Sequence, residues 1–189
     1  MFDRRPFVAG LLVDRGDLLV VTGLGSSTYD IAACGDHPLN FYLWSAMGTT
    51  AMVGLGLALA RPDRRVAVIT GDGDTLMGLG SLATIGVKQP NNLSIVVLDN
   101  RHYSATGMQP TATAAGIDLA GTAESCRFRR VERVTELSRA AAMRELLHTG
   151  HGPVFIHAQV EADDQKRVIP SRDGYAIKRR FMEASGKPG

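Results

Sequence analysis

Four short apolar runs decide what this chain can fold into. They are LLVV at 18–21, VAVIT at 66–70, SIVVL at 94–98 and VFIH at 154–157. Each is apolar at successive positions, so it offers hydrophobic side chains to both faces of a sheet. That is the pattern of a parallel strand covered by helices on either side. Between the runs lie helix-like patterns at 6–14, 49–60, 76–87 and 135–148. Strand–helix alternation with crossovers of this length predicts an α/β fold, a doubly wound, mostly parallel sheet with helices on both faces. Residues 127–131 are expected to add an edge strand. The expected organisation is one α/β domain over residues 1–160, followed by a basic C-terminal tail at 161–189. The tail carries Lys166, Arg167, Arg172, Lys178, Arg179 and Arg180, with Tyr175, Phe181 and Met182 available to pack a helix on a partner or to cover a site.

Composition removes several function classes. Twenty-one basic residues against 19 acidic ones give a net charge of +2, which argues against a nucleic-acid binder driven by bulk charge. Cys34 and Cys126 stand far apart and form neither a disulfide framework nor a metal-binding spacing. The opening stretch is interrupted by Asp14, Arg15 and Asp17 and has no small-residue cleavage site, so it does not read as a signal peptide. The uncharged stretch 38–60 is strongly apolar only over 51–60, too short to span a bilayer. A cytoplasmic protein with no membrane partner is expected. Within 49–60, the small residues Ala51, Gly54, Gly56 and Ala58 read as close helix packing.

The chemistry concentrates after the second run. VAVIT passes directly into Gly71-Asp72-Gly73-Asp74, and a helix follows. Ligands of α/β sheets bind beyond the carboxyl ends of parallel strands. Gly71 and Gly73 let the backbone turn sharply and approach a ligand, and a helix N-terminus favours an anion. Asp72 is then a carboxylate in an anion site. The conflict disappears if a hard cation such as Mg2+ lies between it and a phosphate. A turn with a capping Asp gives the same letters. The next run ends in Asp99-Asn100, so adjacent strands can present Asp72 and Asn100 side by side, with a backbone carbonyl from 101–107 as a third oxygen. His148 and His151 straddle a helix end, and His157 reads as a satisfied strand-end residue.

FYLWSAMG at 41–48, GDGDTLMGLGSLATI at 71–85 and LDNRHYSATGMQPT at 98–111 resemble the thiamine diphosphate-dependent decarboxylases of sulfopyruvate and phosphonopyruvate. The similarity, which covers roughly residues 15 to 160, extends to the β subunit of the former and the C-terminal part of the latter. It implies a thiamine diphosphate-binding (PP-type) domain. Asp72 and Asn100 would hold Mg2+ through side-chain oxygens, and His102 through its main-chain carbonyl. Gly71, Gly73 and Asp74 would meet the diphosphate, with Gly25 and Ser26 beside it. Met47 would hold the cofactor bent, and Ser45 would offer its carbonyl to the aminopyrimidine. His102, Tyr103 and Gln109 are candidates for substrate contact or proton handling. Three departures from the family pattern stand out. Asp74 replaces a small residue, Ser45 replaces a common Gly, and Arg101-His102-Tyr103 is bulkier than usual in a loop expected to face substrate.

Enzymes of this family work between two domains, one of which presents a Glu to the pyrimidine ring. All six Glu residues here (124, 132, 136, 145, 161 and 183) lie downstream of the matched motifs. The resemblance therefore implies a β subunit of a split 2-oxo acid decarboxylase, releasing CO2 and an aldehyde. A separate α subunit would supply the activating Glu, in an α/β hetero-oligomer. A carboligase of the acetolactate synthase type and a non-catalytic cofactor-binding or regulatory subunit are the alternatives. A dinucleotide-binding domain is disfavoured, because no Gly-x-Gly-x-x-Gly follows a first strand with an acidic residue at the required distance.

Overall fold

The four apolar runs pair with one another, and two further strands extend the sheet. A computed structural model describes residues 1–163 and 165–186. In chain order the elements are α1 (Arg4–Leu12), β1 (Leu19–Thr22), α2 (Ser26–Ala33), β2 (Asn40–Tyr42), α3 (Thr50–Ala60), β3 (Val66–Gly71), α4 (Asp72–Met77) and α5 (Gly80–Lys88). They continue with β4 (Leu93–Asp99), β5 (His102–Tyr103), β6 (Gln109–Pro110), α6 (Leu119–Ser125), β7 (Arg130–Val134), α7 (Ala140–Thr149), β8 (Val154–Gln159) and α8 (Gly174–Ser185). Six strands form one sheet in the order β2-β1-β3-β4-β8-β7, every neighbouring pair parallel. The doubly wound α/β architecture expected from the sequence is the one that forms.

Alternation along the strands divides the interior into two cores. Val20, Ile69, Val96 and Ile156 face α1 and α7, meeting Phe7, Leu11, Met143 and Leu147. Val21, Val68, Val97 and Phe155 face the opposite side, meeting Leu55 of α3, Leu82 and Ile85 of α5 and Leu119 of α6. A fully buried Val, Leu, Ile or Phe contributes roughly 1.5–3 kcal/mol, so these two layers outweigh any surface pairing in holding the fold. Among the described residues no helix is long and apolar enough to cross a membrane.

Several elements depart from the sequence reading. The expected helix over 76–87 is two helices, broken at Gly78 and Leu79. A Cβ on Gly78 would lie 2.1 Å from the Gly48 carbonyl oxygen, so the chain turns where the 45–48 loop approaches it. The edge strand forms at Arg130–Val134, later than expected, and α7 begins at Ala140 after a 3-10 turn. Residues 174–185, read as part of a basic tail, form α8, with Asp173 capping its N-terminus through a 3.0 Å bond from the Ala176 N–H. Ile177 and Phe181 of α8 enter opposite cores, so the helix straddles the β2 edge of this chain's own sheet. Phe181 packs edge-on against Phe41, and Arg180 pairs with Asp36.

The small residues of α3 are not equivalent. A Cβ on Gly54 would fall 2.1 Å from Val68 Cγ2, whereas nothing lies within 4 Å of one on exposed Gly56. Gly54→Ala is expected to destabilise the chain by about 1–3 kcal/mol through overpacking. Gly56→Ala should stabilise it by up to about 1 kcal/mol through helix propensity. Thermal unfolding of the two variants should therefore shift in opposite directions.

Candidate functional site

The chain leaves β1 toward one edge of the sheet and β3 toward the other, so the crevice of this doubly wound sheet opens at their carboxyl ends. A cleft there, of about 110 Å³, is lined by segments from three strand tips. Gly25 and Ser26 follow β1, Gly71, Asp72, Gly73 and Asp74 end β3, and Asn100, His102 and Tyr103 follow β4. Met47 and Arg4 also line it. Ten sequence-predicted site residues thus lie together in one cleft. Ser45 and Gln109 do not line it. Ser45 is exposed in the preceding loop, and Gln109 lies exposed in a small hairpin, where its side chain folds back on Thr106 through bonds of 3.0 and 3.1 Å.

Asp72 is buried, with only 2% of its surface exposed. Its Oδ2 accepts a 2.6 Å bond from the Thr111 hydroxyl, and Thr113 Oγ1 lies 3.3 Å away. No side chain among the described residues donates to its Oδ1. Burial, with the neighbouring Asp99 charge adding to it, pushes the Asp72 pKa up to about 6. Asp99 is treated differently. Burial works against its charge as well, but bonds from His157 (2.7 Å), Thr113 (2.8 Å) and the Arg101 N–H (2.9 Å) hold it below the ordinary carboxylate value. One buried carboxylate is fully satisfied, and the other keeps an oxygen free beside the cleft.

The β4 tip supplies neutral oxygens. Asn100 Oδ1 accepts from the His102 N–H at 3.0 Å, and its amide donates to Ser104 Oγ at 2.7 Å. That leaves the second lone pair of Oδ1 available. His102 stands opposite Pro110 in the hairpin, and Pro110 has no N–H to offer the His102 carbonyl. The His102 ring places Nδ1 2.8 Å from the Asn100 carbonyl, so Nδ1 carries the proton that it donates there. Gly73 is essential to this geometry. A Cβ at that position would lie 2.5 Å from the Tyr103 ring and 3.3 Å from Met47 Cε, so both side chains rest on bare backbone.

Asp74 is a structural tie. Its carboxylate accepts from the Gly48 N–H at 2.6 Å and the Thr70 hydroxyl at 2.5 Å, which fastens the 45–48 loop to the β3 tip. The extra negative charge is thereby turned to the frame of the cleft. Sequence reasoning missed Arg4, Thr111, Thr113 and the His157–Asp99 pair. Thr111 closes the matched segment ending in MQPT, which was the available signal. Arg4 gave none, because its anchor Asp30 is remote in sequence.

The donor set suits a hard divalent cation. Among the described residues no group of three or more His, Cys, Asp or Glu can hold a metal. A cation here would meet one carboxylate and neutral oxygens, with a ligand's phosphate to complete its shell, which is the usual arrangement for Mg2+.

These features define a parallel α/β domain whose polar strand tips open on one cleft, and comparison with known proteins gives its family. Residues 23–158 match the family described as thiamine pyrophosphate enzyme, C-terminal TPP binding domain. The chain belongs to that family, and its relatives place it among the carboxy-lyase subunits. It is 38% identical, over 93% of its length and 90% of the relative's, to sulfopyruvate decarboxylase subunit beta of Methanothermobacter thermautotrophicus. It is 40% identical over 76% of its length to phosphonopyruvate decarboxylase of Streptomyces viridochromogenes, of which it spans 36%. The fold also matches the thiamine diphosphate-dependent 4-hydroxybenzoylformate decarboxylase of Rhodococcus jostii RHA1. That match has a TM-score of 0.70 and 20% identity, over 86% of this chain and 33% of the other.

Two substitutions test the frame. Asp74→Ala should destabilise the chain by about 1–3 kcal/mol in urea unfolding, since it leaves the Thr70 hydroxyl and the Gly48 N–H without their acceptor. Ser45 has φ +58 without being glycine. Ser45→Gly should relieve that left-handed conformation and raise stability by about 0.5–1 kcal/mol, read by the same unfolding curves.

Proposed function

We propose that this chain is the thiamine diphosphate- and Mg2+-holding β subunit of a split, cytoplasmic 2-oxo acid decarboxylase. Its substrate would be a small 2-oxo acid bearing a second acidic group, a sulfonate or phosphonate. The reaction releases CO2 and an aldehyde, and a separate α subunit contributes the activating Glu in an α/β hetero-oligomer. The observation that carries the reading is the meeting of Asp72, Asn100 and His102 at one cleft on adjacent parallel strand tips, with Asp72 Oδ1 unclaimed. The relatives' printed names support the substrate class and the subunit arrangement. None of the six Glu residues lines the cleft, which supports an external source for the activating carboxylate. Both cysteines are free, in keeping with a reducing compartment.

When bound, thiamine diphosphate supplies the electron sink for decarboxylation. The protein's own part is to bind and orient. Asp72 Oδ1, Asn100 Oδ1 and the His102 carbonyl would hold Mg2+, with Gly71, Gly73 and Asp74 along the diphosphate and Gly25 and Ser26 at its side. Met47 and the Tyr103 ring, both resting on Gly73, would flank the metal end. Tyr103 and His102 border the substrate side. With Nδ1–H committed to the Asn100 carbonyl, His102 has Nε2 as the atom that can take or return a proton. Gln109 would act only if the hairpin opened, because its amide is occupied by Thr106. Ser45 would contribute through its carbonyl, a use that does not depend on its exposed side chain.

The test is co-expression with a subunit carrying a pyrimidine-binding domain, followed by assay over a panel of 2-oxo acids with thiamine diphosphate and Mg2+. Turnover of sulfonated or phosphonated acids to CO2 and aldehyde is expected. A two-carbonyl condensation product would instead identify a carboligase, and cofactor binding without turnover a regulatory subunit. Asp72→Asn gives a sharper prediction. It should raise the metal-free chain's stability by about 1–3 kcal/mol, because it removes a buried charge that lacks a counter-ion. It should also abolish the Mg2+ dependence of thiamine diphosphate binding in calorimetry.

A further inference from the structure

The wall of the cleft holds one cationic side chain whose ion pairs leave a donor unused. Arg4, at the start of α1, is only 4% exposed yet lines both the main cleft and a smaller one beside it. Its Nε donates to Asp30 Oδ2 at 2.6 Å, and its Nη1 donates to the Asp163 carbonyl at 3.0 Å and to the Asp163 carboxylate. Its Nη2 has no acceptor among the described residues. A guanidinium is a rigid planar fork, so fixing Nε and Nη1 also fixes the direction of Nη2. The anchor Asp30 lies on α2, one turn beyond Ser26, which ties the fork to the start of that helix.

The start of α2 is itself ready for an anion. Its N-cap is Gly25, at φ +74, and no side chain caps it. The first N–H groups of the helix therefore lack side-chain acceptors, beside a buried arginine with a free donor. Charge points the same way. Arg4 is the sole Lys or Arg among the residues lining the main cleft, against Asp72 and Asp74. Asp74 is spent on Gly48 and Thr70, and Asp72 would face a metal. Among the residues lining the main cleft, only Arg4 offers a guanidinium donor to a phosphate bound between the β1 and β3 tips, its own charge being balanced by Asp30 and Asp163.

We propose that Arg4 is a ligand for the terminal phosphate of a diphosphate bound in the cleft, and that it sets the chain's preference for two phosphates over one. The proposal rests on the reading of the cleft as a thiamine diphosphate site and adds a residue to it. Arg4 acts through a charge-assisted hydrogen bond from Nη2, with the fork held by Asp30 and Asp163. A purely structural Arg4 would clamp α1, α2 and the segment after β8 together and would be indifferent to what fills the cleft.

The experiment is calorimetric titration of the full chain, assembled with the pyrimidine-binding subunit used in the activity assay. Three probes are used, each with Mg2+: thiamine diphosphate, thiamine monophosphate and inorganic pyrophosphate. Two variants are compared with wild type. Arg4→Lys keeps a cation for Asp30 but loses the fork. The double variant Arg4→Met/Asp30→Asn removes the most deeply buried pair together and leaves the charges of the more exposed Arg5 and Asp163 to solvent, which guards against misfolding of the single change. In both, affinity for thiamine diphosphate and pyrophosphate should fall about tenfold or more, the worth of one charge-assisted hydrogen bond, while affinity for the monophosphate stays within about twofold. Unchanged diphosphate affinity in a folded variant, or an equal loss for all three probes, overturns the proposal. Pyrophosphate separates the two readings. If it binds and responds to Arg4→Lys while thiamine diphosphate binds no tighter than pyrophosphate, the anion site stands and the thiamine reading falls.

Discussion

Everything at the carboxyl end of this sheet depends on the parallel pairing of β3 with β4. Gly71 stands opposite Leu98, so both strands end at the same level and release their chains into the same space. An antiparallel pair would carry the two tips to opposite ends of the sheet. Parallel pairing puts Asp72 and Asn100 on one wall, and Thr113, returning from the hairpin, bonds to Asp99 while lying within reach of Asp72. The helices on both faces are the condition for this arrangement, since a parallel sheet needs both its faces covered.

The two buried carboxylates show how that wall is tuned. Asp72 and Asp99 sit on neighbouring strand ends, each almost fully buried. The protein gives Asp99 an imidazole, a hydroxyl and a backbone N–H, whereas the side chains that donate to Asp72 are hydroxyls, both on one oxygen. The result is a settled charge behind an unsettled one. Burying a charge without a partner is costly, and Asp72 bears that cost where it lines the cleft. Loss of local stability at such a point is characteristic of a binding site.

The parts of the fold that were legible in the sequence are those set by burial on two sides. The four apolar runs could be read because a parallel strand in the middle of a sheet has no polar face. β2 could not, because Asn40–Tyr42 is three residues long and carries its one polar side chain inward, to Arg15 and Tyr42. For α8 the sequence offered a helix in a basic tail but not its seat, since only the spacing of Ile177 and Phe181 marked the stripe that packs on this chain's own sheet. The helix break at Gly78 had no local cause to find, because it comes from Gly48 pressing on it from a distant loop. At the site, residues next to one another in sequence were legible, and those reaching it across the fold were not. Gly71 to Asp74 and Asp99 to Asn100 announce themselves. Arg4 and Thr113 arrive from segments with no motif of their own.

The position of α8 has a consequence for how this molecule can meet others. By lying across β2, the helix shields the exposed rim of the sheet, and the opposite rim at β7 bristles with Arg130, Glu132 and Arg133. Neither rim offers the flat unpaired backbone on which a foreign strand could add itself. Growth by strand exchange is blocked in both directions.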